Sequence, residues 1–246
     1  MQRIWCRGAI AALNAGIVAL GLAACSEETS PTAVNPPATT TSVRAVHAVP
    51  DGPEVDLFVN DNELFANVSF FSATNFAEAP AGDVTVEVFV SDPPGGDPIV
   101  SETINDVPAD ASQTVTVAGL VNPVGNQQLL QVDVFADDLE TTVDSAELRI
   151  IHLSPDAPGV DVRLGDNDPD GQLLATLNFG EATPENIVVP PDTYTVTIFE
   201  AGTATAVLTQ TLPEVFADEN FTIYAVGLLQ PAEAGSEFRL EVSPDT

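Results

Sequence analysis

Alternating hydrophobic and polar residues are the main pattern of the chain from about residue 42 onward. In segment 84–88, valines at every second position are separated by Thr85 and Glu87, and in segment 194–198 Tyr, Val and Ile are separated by threonines. Period-two alternation of β-branched residues is typical of a strand with one buried face. No window downstream of residue 25 has convincing helical periodicity, so the pattern predicts an all-β fold.

Turn-forming residues divide this region into short strands. Clusters of proline, glycine and aspartate, such as segments 50–53 and 165–171, supply the breaks. Seven strands are predicted in the first half of the region: 43–49, 54–59, 63–70, 84–90, 98–104, 113–119 and 128–135. Seven short antiparallel strands in about 100 residues fit an immunoglobulin-like β-sandwich.

The chain contains an internal duplication. Segment 43–56 recurs 105 positions later as segment 148–161, and seven of the fourteen aligned positions are identical. The identical pairs are Arg44 and Arg149, His47 and His152, Pro50 and Pro155, Asp51 and Asp156, Pro53 and Pro158, Val55 and Val160, and Asp56 and Asp161. We therefore predict two tandem immunoglobulin-like β-sandwich repeats over 42–138 and 146–246, with the boundary near 138–146.

The N-terminal segment resembles a lipoprotein signal. Its apolar stretch over 8–21 is shorter than the roughly 20 residues that a membrane-spanning helix needs. The sequence Leu22-Ala23-Ala24-Cys25 resembles the bacterial lipobox, in which the signal is cut before a cysteine that becomes lipidated. We expect a signal peptide over 1–24 and a lipid anchor at Cys25.

The residues after Cys25 predict where the protein resides. Segment 25–41 is rich in Pro, Thr, Ser and Glu and has almost nothing to bury, so we expect a flexible tether. Ser26, rather than Asp, follows the cysteine, which resembles a signature of sorting to the outer membrane. The predicted location is therefore the cell envelope, with a membrane-anchored lipoprotein that faces the periplasm or the cell surface.

Acidic residues outnumber basic ones by a wide margin. The chain has 37 Asp and Glu against six arginines and no lysine, for a formal net charge of −31. Two arginines and no acids precede Cys25, so the expected mature chain carries −33. Such a surface repels phosphates, which excludes nucleic acid as a partner. A salt-adapted surface, divalent-cation binding and docking onto a basic partner are the three interpretations that remain open.

The opening motif of each copy resembles a known family. The pattern Arg-x-x-His-x-x-Pro-Asp-x-Pro-x-Val-Asp, with a Pro-x-x-x-Tyr-Thr-Val strand and a closing Tyr-x-Val-Gly, is similar to a widespread bacterial domain, the domain of unknown function 4397. That domain occurs singly and in tandem in exported envelope proteins. The resemblance covers about 42–246, and the first copy departs from it with Val84 where the second has Tyr194. The resemblance implies no catalytic residue.

In each copy the motif places a histidine near an aspartate and an arginine. These sets are His47 with Asp51 and Arg44, and His152 with Asp156 and Arg149. One interpretation is a metal or acid–base cluster, although one histidine per copy falls short of the three or four protein ligands of a zinc site. The other is structural: His and Asp fix the first turn, while the arginines pair with Asp56 and Asp161 on a neighbouring strand.

A second candidate is a calcium loop in segment 166–171. Asp166, Asp168 and Asp170 match the start of the D-x-D-x-D-G pattern. Loop position twelve, which is usually a bidentate Glu, is Leu177 here. The alternative is an acidic, solvated hairpin.

No other motif indicates catalysis. The sequence lacks a Gly-x-Ser-x-Gly elbow and a phosphate-binding glycine loop. We therefore predict no enzyme and no cofactor apart from the calcium candidate. The predicted role is a structural or protein-interaction module whose partner is an envelope or extracellular-matrix protein. The alternative is a ligand-binding module for a glycan or a divalent cation that uses the acidic loops.

Overall fold

The computed structural model describes residues 39–92, 96–231 and 234–245. Strands and no helices are present within the described residues, so no helix among them is able to span a membrane. The prediction of an all-β fold is confirmed. The expected signal peptide, Cys25 and most of the expected tether lie outside the described residues.

Each repeat contributes nine of the eighteen strands in the described part of the chain. In the first repeat they are β1 Thr40–Ala48, β2 Val55–Val59, β3 Asn62–Val68, β4 Ser72–Ala73, β5 Ala77–Pro80, β6 Gly82–Val90, β7 Val100–Val107, β8 Ser112–Ala118 and β9 Gln131–Asp137. In the second they are β10 Ala146–His152, β11 Val160–Leu164, β12 Leu173–Leu177, β13 Glu181–Ala182, β14 Ile187–Val189, β15 Thr195–Glu200, β16 Ala206–Thr211, β17 Glu219–Val226 and β18 Arg239–Pro244.

The strands of each repeat form two sheets. In the first repeat, the order β4-β1-β8-β9, with β5 also paired to β1, makes a five-stranded sheet, and β3-β2-β6-β7 makes a four-stranded one. The second repeat has the same arrangement, with β13-β10-β17-β18 plus β14 and with β12-β11-β15-β16. Each repeat is thus a two-layered sandwich, as predicted.

Three details differ from the expected strands. The short strands β4 and β5 were not predicted, because two and four residues are too few to show a period. The strand β1 begins at Thr40, inside the expected tether. The pairs β1–β8 and β10–β17 are parallel rather than antiparallel, since the alternation of residues carries no information about strand direction.

An apolar core fills each sandwich. The first core is rich in valine, whereas the second has larger residues at several equivalent positions, including Leu148, Ile198 and Ile223. Every second residue of the facing strands enters these cores, which is the burial that the period-two pattern predicted.

A third apolar cluster joins the two repeats. Its members come from the five-stranded sheets of both: Val46, Ala48, Ala118, Ile151, Leu153, Tyr224 and Val226. The strands β10 and β17 are accordingly buried on both faces, with one face toward their own sandwich and the other toward the first repeat. The five-stranded sheets therefore pack against each other, and the four-stranded sheets lie outside.

Candidate functional site

The opening motif spans a central strand, a turn and the start of the next strand. Along β1, the even-numbered residues belong to the face toward the second repeat, as Val46 and Ala48 show, and the odd-numbered ones belong to the sandwich core, as Val43 and Ala45 show. Because residues three apart in a strand point to opposite faces, Arg44 turns toward the other repeat while His47 turns away from it. The same holds for Arg149 and His152 in β10.

Six buried side chains form a cluster between the repeats, which we call the inter-repeat polar cluster: Arg44, Thr114, Asp137, Arg149, Thr222 and Asp245. Its ion pairs cross from one repeat to the other. A guanidinium nitrogen of Arg44 lies 2.6 Å from a carboxylate oxygen of Asp245, and Arg149 pairs in the same way with Asp137. The side chains of both pairs are almost completely buried.

Two threonine hydroxyls link the two ion pairs. Thr114 accepts hydrogen bonds from Arg44 Nε at 2.8 Å and from Arg149 Nη2 at 3.1 Å, and it donates to Asp137 at 2.8 Å. Thr222 likewise accepts from both arginines and donates to Asp245 at 2.9 Å. A hydroxyl has one donor hydrogen and two acceptor lone pairs, so each threonine uses its full capacity.

The charges of this cluster balance one another. Burial by itself lowers the pKa of Arg44, but nearby Tyr224, Asp245 and Asp137 outweigh that effect, so the pKa lies above its ordinary value. Burial raises the pKa of the Tyr224 phenol to about 12. Two permanent cations thus face two carboxylates beside a neutral phenol, an arrangement suited to holding surfaces together rather than to transferring protons.

The predicted partners of the arginines were wrong. Asp56 lies on β2, which belongs to the four-stranded sheet and is not a neighbour of β1. Its carboxylate accepts hydrogen bonds from Ser91 Oγ at 2.6 Å and from the backbone N–H of Asn67 at 2.8 Å.

The equivalent carboxylate in the second repeat is used in the same way. Asp161 accepts hydrogen bonds from Thr176 Oγ1 at 2.6 Å and from Gly202 N–H at 3.0 Å. Burial by itself raises the pKa of Asp161, but these two hydrogen bonds and the positive charge of Arg163 together outweigh that effect. The pKa of Asp161 therefore lies below its usual value.

Each motif histidine closes the turn that follows its strand. His47 Nε2 lies 3.1 Å from the Pro53 carbonyl oxygen, and His152 Nε2 lies 3.2 Å from that of Pro158. Since a carbonyl only accepts, the proton must be on Nε2. Burial lowers the pKa of both imidazoles, so the neutral form is favoured.

The motif aspartates bind a second loop. Asp51, which follows Pro50 in the first turn, accepts backbone hydrogen bonds from Val121 and Asn122, both at 2.9 Å. In the second repeat, Asp156 accepts them from Leu229 at 2.9 Å and Gln230 at 3.1 Å. Each aspartate therefore holds the loop that follows β8 or β17 against the first turn of its own repeat.

The calcium candidate has a different geometry. Asp166, Asp168 and Asp170 are exposed in the turn between β11 and β12, where the carboxylate of Asp168 accepts a hydrogen bond from the backbone N–H of Asp170 at 3.0 Å. Across the described ranges, no three His, Cys, Asp or Glu side chains are gathered so that they could hold a metal ion. The acidic-hairpin alternative describes this geometry better.

Four of the six residues of the polar cluster were not predicted as site residues from the sequence. The two aspartates lie outside the opening motif: Asp137 is the last residue of β9, and Asp245 directly follows β18. They are 108 residues apart, as are Thr114 and Thr222. Identical polar residues at this shared spacing were the signal that could have pointed to them.

Comparisons with known proteins identify the family. The sequence model described as "Domain of unknown function (DUF4397)" matches residues 41–163 and 146–244. No curated protein sequence matches the chain. The chain is also similar to a solved product complex of the multi-modular glycogen-degrading pneumococcal virulence factor SpuA, with 11% sequence identity over 68% of this chain and 26% of that one. The TM-score of 0.21 is too low to show a shared fold. The two matches of the family model show that the chain belongs to the DUF4397 family and carries two copies of its domain.

Proposed function

We propose that the protein is a non-enzymatic module of the bacterial cell envelope, anchored by a lipid on Cys25, that serves as a structural or protein-interaction element. One observation supports the absence of catalysis. The Arg, His and Asp side chains of the family motif all bind other groups of the fold, and the arginines and histidines are buried.

A catalytic or metal site needs groups that remain free to meet a substrate or an ion. In this protein the motif arginines join the repeats, the histidines close the first turns, and Asp51 and Asp156 fix the loops after β8 and β17. The remaining motif aspartates, Asp56 and Asp161, accept hydrogen bonds from neighbouring groups of their own repeats. The most specific sequence pattern of the family is thus explained by architecture, which supports a role in presenting surfaces.

The envelope location is supported by the sequence Leu22-Ala23-Ala24-Cys25. Several acyl chains, at about 0.8 kcal/mol per buried CH₂, give stable membrane attachment. The chain has six arginines against 37 acidic residues, so electrostatic attraction to anionic headgroups would not hold it at a membrane. A lipid anchor would supply that attachment.

The anchor is tested by expressing the full chain in a Gram-negative host that is fed an alkyne analogue of palmitate. We expect the label on the protein and the protein in the membrane fraction, with both lost in the Cys25→Ser variant. Unlabelled protein in the soluble fraction, unchanged by Cys25→Ser, would contradict the proposal. Protease treatment of intact and permeabilised cells then separates surface from periplasmic exposure.

A further inference from the structure

The first turns and the loops that they hold lie together at one end of the molecule. The parallel strands β1 and β8 both end there, since Ala48 pairs with Ala118. The first turn of the second repeat is at the same end, because Gln128 N–H donates to the Pro155 carbonyl at 3.0 Å. Thr40, where β1 begins, is about 30 Å away at roughly 3.3 Å per residue. We call this end the loop pole.

The loop over 119–130 exposes apolar side chains at this pole. Val124 is 71% exposed, Leu129 69% and Val121 41%. Exposed apolar residues that are concentrated in one segment of a folded protein mark interaction sites more often than residues scattered singly over the surface do. Next to Val124, a groove of about 510 Å³ lies between the repeats and is also lined by Gln128, Pro155, Pro158 and Gln230.

The backbone of this loop is fixed. Asp51 binds two of its N–H groups, and Gln127 Oε1 accepts a hydrogen bond from Val124 N–H at 2.8 Å. Gly119 has a φ of +107°, and a Cβ there would lie 2.2 Å from the Leu129 carbonyl oxygen. A surface that is already ordered loses little conformational entropy on binding.

The fold does not require this exposure, as the duplicate shows. Leu120 bridges to Leu129 in the first repeat, and Leu228 bridges to Glu237 in the second. The residue equivalent to the exposed Leu129 is therefore Glu237, and the next residue, Phe238, is only 8% exposed. In the described part of the equivalent loop of the second repeat, no leucine is exposed.

Charge distinguishes the loop from the rest of the surface. From residue 111 to residue 132 the sequence contains no charged residue, although the whole chain carries −31. A second copy would bring two strongly acidic surfaces together, and their repulsion opposes self-association. A partner whose apolar contact is framed by lysine or arginine is attracted to the acidic surroundings and meets no charge in the loop.

We infer that loop 119–130 and the adjoining groove form a docking surface for a protein segment with apolar contact residues flanked by lysine or arginine. This inference rests on the proposed function as an interaction module and names the surface it uses. The loop pole lies at the opposite end of β1 from Thr40.

The test places a photo-crosslinking benzoylphenylalanine at position 124 of the full chain, in the bacterium that naturally makes it. A second position, Val188, is 53% exposed in the other repeat and serves as the control site. The crosslinker at 124 is combined with Leu129→Glu, which copies the duplicate's residue, or with Leu173→Glu, a matched change at a leucine that is 46% exposed on β12.

We expect a protein adduct from position 124 and none from position 188. The crosslinked peptide should be apolar with flanking Lys or Arg. Leu129→Glu should reduce the adduct at least tenfold, and Leu173→Glu should leave it unchanged. An adduct from 188 alone would overturn the docking surface while the interaction module stands, and adducts from neither site would count against both. A crosslink to a second copy, or an adduct insensitive to Leu129→Glu, would also overturn the inference.

Discussion

The two arginines of the family motif, Arg44 and Arg149, are buried between the repeats. Arg44 reaches into the second repeat to pair with Asp245, and Arg149 reaches back to Asp137. Removing one partner of a buried pair costs about 3–5 kcal/mol, because the other charge is left unpaired. Both pairs share Thr114 and Thr222, so their energies should be coupled.

The buried pair can be compared with an exposed one in the same region. We expect Asp245→Asn to lower the free energy of unfolding by about 3–5 kcal/mol, since Arg44 would remain as an unpaired buried cation. The matched control is Glu241→Gln on β18, whose pair with Arg239 is partly exposed and should be worth about 0–1 kcal/mol. Urea unfolding measures both. Equal losses in the two variants would refute the role of the cluster.

The motif histidines predict a dependence of stability on pH. Their pKa values are lowered by burial in the folded state, so the unfolded chain, with histidine pKa values of about 6.5, binds protons first. The contribution of each histidine is therefore present above about pH 6.5 and is lost as the pH falls below it.

The double variant His47→Gln, His152→Gln isolates this effect from the titration of the carboxylates, because an amide can still donate to the proline carbonyls. Thermal melts measure the Tm of both proteins between pH 7.5 and 5.5. We expect the Tm of the parent protein to fall more steeply with decreasing pH than that of the variant. Parallel curves would show that the histidines do not titrate on unfolding.

At the scale of strands and loops, alternation predicted where the main strands lie but not what covers them. The strands around Leu57 and Val86 have one buried face, which a period of two encodes directly. The strand β10 is buried on both faces, and a sequence pattern cannot tell which of two partners covers a face. The predicted pair between Arg44 and Asp56 was wrong because β2, which carries Asp56, belongs to a different sheet from β1. The alternation of residues does not show which strands share a sheet.

The loop after β8 provides a test at this scale. Gly119→Ala should destabilise the fold by more than about 1 kcal/mol, because its Cβ would collide with the backbone of Leu129 as well as strain a positive φ. Gly82 has a φ of +90°, and a Cβ added there would meet no atom within 4 Å, so Gly82→Ala carries only the strain. Thermal unfolding of the two variants should rank Gly119→Ala as clearly the less stable; the reverse order would mean that the close approach at Leu129 does not constrain the loop.

At the scale of the whole molecule, the repeats share a core and a balanced cluster of charges, while the surface is strongly acidic. The duplication was visible in the sequence at His47 and His152. The packing of one copy against the other was not, because Asp137 and Asp245 become meaningful only when both copies are folded together.

The surface charge predicts stabilisation by salt. Raising the NaCl concentration from 0.1 to 1 M shortens the Debye length from about 10 to about 3 Å, so self-repulsion from a net charge of −31 should weaken and the Tm should rise. CaCl₂ at matched ionic strength separates screening from ion binding. A larger rise in calcium that Asp168→Asn abolishes would instead establish a cation site at Asp166, Asp168 and Asp170.

We expect that the shared core and the crossed ion pairs make the two repeats unfold as one cooperative body. Native-state hydrogen exchange of the Ile198→Ala variant distinguishes this from independent unfolding of the repeats. Ile198 is fully buried in the second sandwich core, away from the inter-repeat face, and its truncation should cost about 2–5 kcal/mol. We predict that the slowest amides of β6, in the first repeat, lose as much protection as those of β15, in the second. Unchanged protection in β6 with reduced protection in β15 would mean that the two repeats unfold independently.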